Sequence, residues 1–384
     1  MTAPDAAAPE IGVGLFGPAG IGRAHAHAFR LLPLVFWPPA VRPRLVRVVG
    51  RDRSRTEAAA RRFGFARAGV DWKELVSDPE VELLDNCAPN GLHREPCLAA
   101  LAAGKHVFCE KPLGRSAAEA RELRDAARQA GVVNMVGFNY RFLPAVRLAQ
   151  RLITEGRLGR LHHFRGWFAD ASLLDPDAPF TWHQDAELAG SNAVLDLGSH
   201  LIDMARWLLG EPVAVRGALA TFTETRPTPG GRRRRVETED AFEAILEFEG
   251  GALGSVAATT VAAGRRAHMT FEVNGSRGTI AFDLERLNSL SVHLLDERPE
   301  GGGLREVHAT EPEHLGGGDW WPPGHGVGWE ASLAHELDHL LRATAGGPVA
   351  PAGATFEDGY RCAVICDAIL EAARSNRRVA VRYD

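Results

Sequence analysis

The sequence predicts two domains. The first is an α/β domain built on a doubly wound parallel sheet; the second is an α+β domain whose large, mostly antiparallel open sheet is backed by helices. Over the first third of the 384 residues, short continuous apolar runs alternate with segments of helical period, as parallel strands covered on both faces do. Glycines crowd the turn after the first of those runs. Beyond about Tyr140 the alternation gives way to long period-two segments with Gly-rich turns, the mark of an antiparallel sheet. The length supplies two full cores, and the change of pattern sets the domains at 11–135 and 136–384.

Taken in order, Ile11–Phe16 is a strand and Ala24–Leu32 a helix. Leu45–Val49 is the second strand, and Thr56–Phe63 is an Ala/Arg-rich helix closed by Gly64. Val81–Ala88, His106–Cys109 and Val132–Phe138 are further strands, separated by helices at Leu92–Ala103 and Ala117–Ala130. Right-handed crossovers turn such a series into a doubly wound nucleotide-binding fold. In the second domain, helix Ala145–Thr154 leads to a strand at Leu161–Phe168. An unbroken helix is expected from Asn192 to Leu209. Strands follow at Val213–Thr223, Ala241–Glu249, Ala252–Thr260, Met269–Val273 and Gly278–Asp283, with Asn274-Gly275 marking a hairpin. The segment 300–325 reads as a Gly-, Pro- and His-rich loop, and two last helices lie near Glu330–Ala343 and Phe356–Ser375. The run Arg232–Arg235 is expected to be a solvated hairpin tip.

Forty-four Lys+Arg against 49 Asp+Glu leave a net charge of −5. That balance excludes a broadly basic surface, so nucleic acid is not the expected partner. Five cysteines with no Cys-x-x-Cys pair point to buried thiols in a reducing cytoplasm rather than a disulfide framework. Met1–Glu10 lacks the basic start and apolar core of a signal peptide and reads as a disordered lead. No apolar run has the length a bilayer demands, so a cytoplasmic protein is expected. Lysine occurs only at 73, 105 and 111.

Four local patterns carry chemistry. In the first turn, Gly17-x-Ala19-Gly20-Ile21-Gly22 lets a pyrophosphate reach a helix N-terminus across bare backbone, although Ala19 replaces the usual middle glycine. At the end of the second strand, where a carboxylate would bind a free ribose diol, stands Gly50-Arg51-Asp52. Arg51 suits a 2′-phosphate, so NAD(P) is expected with a lean to NADP, NAD remaining open. Glu110-Lys111-Pro112 follows a strand at its carboxyl end, the side of the ligand crevice, where an ammonium can donate to an oxygen gaining charge. Asp196, His200 and Asp203, four and three residues apart, share one face of the expected helix; they read either as a satisfied core histidine with its aspartate, or as a general base with an orienting carboxylate. His335-Glu336-Leu337-Asp338-His339 matches H-E-x-x-H, yet no third ligand follows, so a solvated helix face is expected and no metal. His25/His27 and His162-His163 show no ligand spacing either.

With Gly17–His25, Pro89–His93, Glu110–Leu113, Gly137–Pro144 and Asp196–Asp203 in view, the chain resembles the Gfo/Idh/MocA oxidoreductases over nearly its whole length, and most of all the branch acting on sugars, cyclitols and glycosides. The resemblance implies that Gly17, Ala19, Gly20, Ile21, Gly22, Arg51, Asn90, His93, Glu110 and Lys111 serve the cofactor, Glu110 at the nicotinamide ribose and Asn90 beside the nicotinamide. It implies that Lys111 hydrogen-bonds the reacting oxygen while His200 accepts the proton with Asp196 as relay partner. Tyr140, Trp182, Asp185 and His325 become candidate substrate groups. It further implies a homo-oligomer, dimer or tetramer, built through the open face of the antiparallel sheet. The expected activity is hydride transfer between nicotinamide and a ring secondary alcohol or ketone. The alternatives are transient redox in the service of epimerisation, elimination or hydrolysis, and a non-catalytic cofactor-binding sensor. The acidic loop Asp170, Asp175, Asp177, Asp185 and Glu187 suggests a cationic amino sugar as one substrate.

Overall fold

The computed structural model describes residues 8–297, 302–315 and 319–384. The lead expected at Met1–Glu10 therefore lies mostly outside the described residues, and Glu10 already opens the first strand.

The N-terminal unit begins β1 (Glu10–Phe16), α1 (Ile21–Val35), β2 (Arg42–Val49), α2 (Arg53–Phe63), β3 (Arg67–Gly69), α3 (Lys73–Ser77), β4 (Leu83–Asn86), α4 (Arg94–Ala102), β5 (His106–Glu110), α5 (Ala117–Ala130) and β6 (Asn134–Gly137). All six strands are parallel, in the order β3-β2-β1-β4-β5-β6, the doubly wound order expected. Leu15, Ala26, Val48, Ala60, Phe63 and Phe65 form the core between α1, α2 and one face of the sheet. Gly64 closes α2 in the left-handed conformation, φ 80°. The strand β3 has only three residues and begins with arginine, too little apolar signal to be seen in the sequence.

The second unit contains α6 (Pro144–Thr154), β7 (Leu161–Ala169), α7 (Ala186–Ala189) and α8 (Ser199–Leu209), then β8 (Pro212–Ala220), β9 (Thr225–Pro227), β10 (Arg233–Arg235), β11 (Ala241–Phe248), β12 (Leu253–Thr259), β13 (His268–Gly275), β14 (Gly278–Asp283), β15 (Ser289–Leu294) and β16 (Arg305–His308). The final elements are α9 (Glu330–Thr344), α10 (Phe356–Ser375) and β17 (Val379–Ala380). The large sheet has nine strands, β16-β15-β14-β13-β7-β12-β11-β8-β17, antiparallel except for the parallel pair β12 and β7. One face alternates into a core of Phe164, Phe271, Phe282 and Leu246, and α8 packs on β7 and β12. The other face is half exposed.

Four expectations change. A single cut at 135 does not describe the packing: the first unit runs through Gly114, takes in Ala118–Phe142, and is completed by Val327–Gly359, while Arg115–Ala117, Leu143–Gly326 and Tyr360–Asp384 form the second. The reason is α9, whose Leu333, Ala334, Leu337 and Leu340 are fully buried and which packs against α1 and the turn Asn139–Phe142. The expected helix 192–209 begins as a π-helical turn at Ala193–Gly198 before α8. The loop expected at 300–325 contains β16, paired to β15. The reversal at Asn274-Gly275 comes two residues later, because Asn274 still pairs with Thr279.

Gly275 serves a close approach: a Cβ there would lie 2.2 Å from the Leu158 carbonyl oxygen. Gly275→Ala should therefore cost about 1–3 kcal/mol through overpacking. A lower urea midpoint with an unchanged slope would report it.

Candidate active site

The glycine turn fits a dinucleotide on steric grounds. Gly17 has φ 91°, and a Cβ on it would lie 2.8 Å from the Cys87 carbonyl oxygen; one on Gly22 would lie 2.0 Å from the Gly17 carbonyl oxygen. Gly20, at φ 52°, faces open space. Ala19 is exposed, and its carbonyl accepts the Gly22 N–H at 3.0 Å. Helix α1 starts at Ile21 with no side-chain cap and no acidic residue in its first turn, leaving N–H groups and the positive end of the dipole for a phosphate. At the end of β2, a Cβ on Gly50 would lie 2.7 Å from Thr56 Oγ1 and 3.0 Å from Pro18. Asp52 caps α2, accepting the Arg55 N–H at 2.9 Å. Arg51 is exposed and, among the described residues, has no ion pair.

Under the carboxyl ends of β4 and β5 lies a buried charge cluster. His25 of α1, with no solvent exposure, has Nδ1 3.1 Å from both oxygens of Asp85 and Nε2 3.0 Å from Glu110 Oε1. The other Glu110 oxygen accepts the backbone N–H of Lys111 at 3.1 Å. Burial alone would lower the His25 pKa, but Asp85 and Cys87 outweigh it and hold it well above its ordinary value. Burial, then Asp85, pushes the Cys87 thiol well up. Glu336 of α9 is wholly buried and, among the described residues, neither oxygen has a hydrogen-bond partner. Burial first, and the negative charge of Glu110 second, lift its pKa well above the usual carboxylate range, favouring the neutral acid.

Two residues expected at the cofactor are engaged within the protein. Glu110, placed by resemblance at the ribose, is 6% exposed, with Oε1 bonded to His25 and Oε2 to the Lys111 N–H. His93, expected at the cofactor, is 1% exposed with Nδ1 2.8 Å from the Pro112 carbonyl and Nε2 2.8 Å from the Ala88 carbonyl. Its ring lies between those two carbonyls, and burial lowers its pKa, so the neutral ring donates to one of them. Asn90 is buried in the turn before α4, and Tyr140 is buried in the turn that α9 covers. Of the three lysines, Lys105 is buried and donates to the carbonyls of Asp78 at 2.9 Å and Val81 at 2.5 Å. Lys73 lies 5.9 Å over the Trp72 ring. Lys111, half-buried at the end of β5, is the one at a ligand-facing strand end.

In the second unit, Asp196 sits in the π-helical turn and His200 in the first turn of α8. Asp196 is partly exposed and lies 3.9 Å from His183 Nδ1. His200 is buried, its ring 6.1 Å from that of Phe168. Asp203 belongs to the structural core, 3.9 Å from Arg206, which also pairs with Glu211 at 2.5 Å. Glu239, which no sequence pattern singled out, holds the π-helical turn: Oε1 accepts the Ser191 hydroxyl and, at 3.0 Å, the Val194 N–H, while its carbonyl accepts Asn192 Nδ2 at 3.2 Å. Burial raises its pKa against those bonds. Single π turns recur where a helix must present a functional side chain.

The remaining candidates are more ordinary. Trp182 stacks on His183 with ring centroids 3.8 Å apart. Asp185 caps α7, accepting from Glu187 N at 3.0 Å, and pairs with Arg234 at 3.0 Å. His325 is exposed, its Nδ1 3.0 Å from the Pro322 carbonyl. The arginine run is exposed, as expected, on the β9–β10 hairpin, but Arg233–Arg235 forms the strand β10 rather than the tip itself; Arg233 pairs with Asp177 at 2.9 Å, and Arg234 also lies over Phe180. Two of the five acids of the loop, Asp177 and Asp185, are thus paired with arginine. H-E-x-x-H is not a solvated face: His335 and Glu336 are buried, His335 Nδ1 lies 3.0 Å from the Phe142 carbonyl and His339 Nε2 2.8 Å from the Val349 carbonyl.

Fold and glycine turn define an oxidoreductase with an NAD-binding Rossmann domain. The model of that oxidoreductase family, NAD-binding Rossmann fold, matches residues 11–138, and the GFO/IDH/MocA C-terminal domain model matches residues 146–281. The chain belongs to the Gfo/Idh/MocA family. It is 38% identical to a levoglucosan dehydrogenase of Pseudarthrobacter phenanthrenivorans across 97% of this chain and 98% of the relative. It is 28% identical to glucose-6-phosphate 3-dehydrogenase of Bacillus subtilis across 96% and 98%. A levoglucosan dehydrogenase structure in complex with NADH and L-sorbose superposes with TM-score 0.94 at 38% identity, covering 98% of this chain and 100% of that one. The expected family, fold and dehydrogenase class agree with these findings. Among the described residues no helix is long and apolar enough to cross a membrane.

Glu336 binds its proton more tightly folded than unfolded, so its contribution to stability is full below the unfolded pKa and is lost as pH rises through the folded one. Glu336→Gln, which cannot ionise, should remove that fall. Urea midpoints from pH 5 to 8 should decline more steeply for the wild type than for the variant, by at most about 1.4 kcal/mol per pH unit.

Proposed function

We propose that the protein is an NAD(P)-dependent dehydrogenase that oxidises, and in reverse reduces, one ring hydroxyl of a neutral sugar, anhydrosugar, cyclitol or glycoside. The observation that carries this is the near full-length likeness to levoglucosan dehydrogenase, whose structures include a complex with NADH and levoglucosan. Gly17, Ala19, Gly20, Ile21 and Gly22 would hold the pyrophosphate through backbone N–H groups, and Asn90 would stand beside the nicotinamide. When bound, the nicotinamide supplies the redox chemistry by accepting or returning a hydride.

The chain's own residues supply the proton chemistry. Lys111 donates a hydrogen bond to the reacting oxygen and stabilises the negative charge that grows there. His200, as a neutral imidazole, takes the hydroxyl proton, and Asp196 orients it and favours the imidazolium that results. Tyr140, Trp182 and His325 are the side chains offered to the rest of the ring. Lys111→Ala and His200→Ala should each lower turnover about a hundredfold or more while cofactor binding, followed by nicotinamide fluorescence, stays within about threefold. Unchanged turnover in both variants refutes the roles. Reduced cofactor should accumulate with levoglucosan or a related polyol; substrate conversion without it would favour transient redox, and no response to any polyol a sensor.

Cofactor choice rests on β2. Asp52 is engaged as a helix cap and Gly50 leaves no carboxylate in its place, while Arg51 is exposed. The enzyme accordingly uses NADP as well as NAD. Arg51→Ala should lower kcat/KM for NADP about tenfold and leave that for NAD within about threefold.

The half-exposed face of the nine-stranded sheet supports a homo-oligomer. Trp167, Ile245 and Leu253 are exposed there, with Ala257 beside Trp167 and Ser255 beside Ile245, an apolar stripe of the kind that covers itself by self-association. Light scattering should give a dimer or tetramer, and Ile245→Glu with Trp167→Glu should yield monomers.

A further inference from the structure

We propose that His25 is a positioning residue for the reaction: a buried imidazolium, clamped between Asp85 and Glu110, that fixes the Glu110–Lys111 turn from the helix that also begins the dinucleotide loop. The inference rests on the proposal that Lys111 meets the reacting oxygen. No local pattern in the sequence assigns His25 a task.

The geometry suits a charged ring. Nδ1 lies 3.1 Å from Asp85 and Nε2 3.0 Å from Glu110, and a ring set between two carboxylates, which only accept, donates from both nitrogens. The ring has no solvent exposure, so water replaces neither bond. The groups facing it from each packed element agree. Asp85 comes from β4 and Glu110 from β5. Cys87 follows β4, its Sγ 3.3 Å from Nδ1. Glu336 comes from α9; Arg141, from the turn after β6, acts on Glu336 and pairs with Asp358 at 3.4 Å. The edge of Phe108 closes the ring's remaining side, with centroids 5.3 Å apart. Burial pushes both the Cys87 thiol and the Glu336 carboxyl up, toward their neutral forms, which leaves Asp85 and Glu110 as the acids bonded directly to the ring.

The clamp reaches Lys111 through a single side chain. Glu110 Oε1 is held by His25 while Oε2 accepts the Lys111 N–H. The carboxylate also packs on Gly137, where a Cβ would lie 2.9 Å from Oε1. Remove the imidazolium and two buried carboxylates face one cavity without a counter-charge. Glu110 then turns or takes a proton, and the backbone that aims Lys111 loses its anchor.

The test reads charge and coupling separately. In the wild-type holoenzyme labelled with 15N-histidine, NMR should show His25 with both ring nitrogens protonated from pH 6 to 8.5, while exposed histidines titrate. A neutral ring over that range overturns the proposal whatever the variants do. His25→Gln should lower kcat at least about thirtyfold with cofactor affinity within about threefold. In the Lys111→Ala background, the same change should cost less than about threefold more, because a residue acting through Lys111 has nothing left to position. Multiplying losses in the double variant overturn the positioning role, even if His25 is charged. If Lys111→Ala alone keeps full turnover, the assignment of Lys111 fails and the positioning role falls with it, whereas the NMR result still stands or falls by itself.

Discussion

Close approach of bare backbone at Gly17 and Gly22 is the constraint on which the first unit depends. A methyl group at Gly22 would stand 2.0 Å from the Gly17 carbonyl oxygen, so only glycine lets α1 begin directly over the end of β1. Two consequences follow from that one contact. The uncapped first turn of α1 is offered to phosphate, and three residues on, His25 reaches beneath the ends of β4 and β5. The turn that is open to a phosphate thus also sets the depth at which the proposed charged ring is buried, and carboxylates flank that ring on both sides. Glycine chemistry and charge chemistry are therefore one arrangement along α1, with the side of β5 that ends in Lys111 tied to it.

The second unit solves a comparable problem with a different device. His200 and Asp196 lie on a helix that must bury its apolar side against β7 and β12 while carrying polar groups. The π-helical turn at Ala193–Gly198 alters the usual four-residue stacking just where Asp196 stands. A buried acid, Glu239, secures its start by taking the Ser191 hydroxyl and the Val194 N–H. Gly198 allows the turn to pack on the Phe242 ring, 2.6 Å from where a Cβ would be. Both units hold their reactive candidates through a buried carboxyl group rather than through the candidates' own exposed contacts.

Local signals made much of this legible. Alternating apolar and helical segments foretold the doubly wound parallel sheet, and the glycine turn was read from spacing because its pattern is local. Lys111 stood out because it follows a strand and because lysine is rare in the chain. What escaped was long-range. His25 meets partners 60 and 85 residues away, and Glu239 acts on a turn 45 residues earlier. Neither pairing leaves a period or a motif. The return of α9 to the first unit was hidden for the same reason, since its apolar face shows that it packs but not against what. Glu110 and His93 were assigned to the cofactor by resemblance, and their bonds to His25, Pro112 and Ala88 appear only in three dimensions.

Charge bookkeeping in the second unit argues for an uncharged substrate. In the sequence, five acidic residues between Asp170 and Glu187 suggest an electronegative loop. In the fold, Asp170 accepts the Ser172 N–H and Asp175 the Asp177 N–H, which makes turns of them. Asp177 and Asp185 face Arg233 and Arg234, and the wholly buried Arg226 holds the carbonyls of Leu173 and Asp175 at 2.6 and 2.7 Å. Two arginines thus pair with acids of this segment while a third braces its backbone, which weakens the field that the sequence suggests. Under the proposed function, hydrogen bonds and aromatic faces such as Trp182 would carry recognition on this side. Those suit a neutral polyol ring, which presents several hydroxyls in fixed directions and gains from orientation rather than attraction.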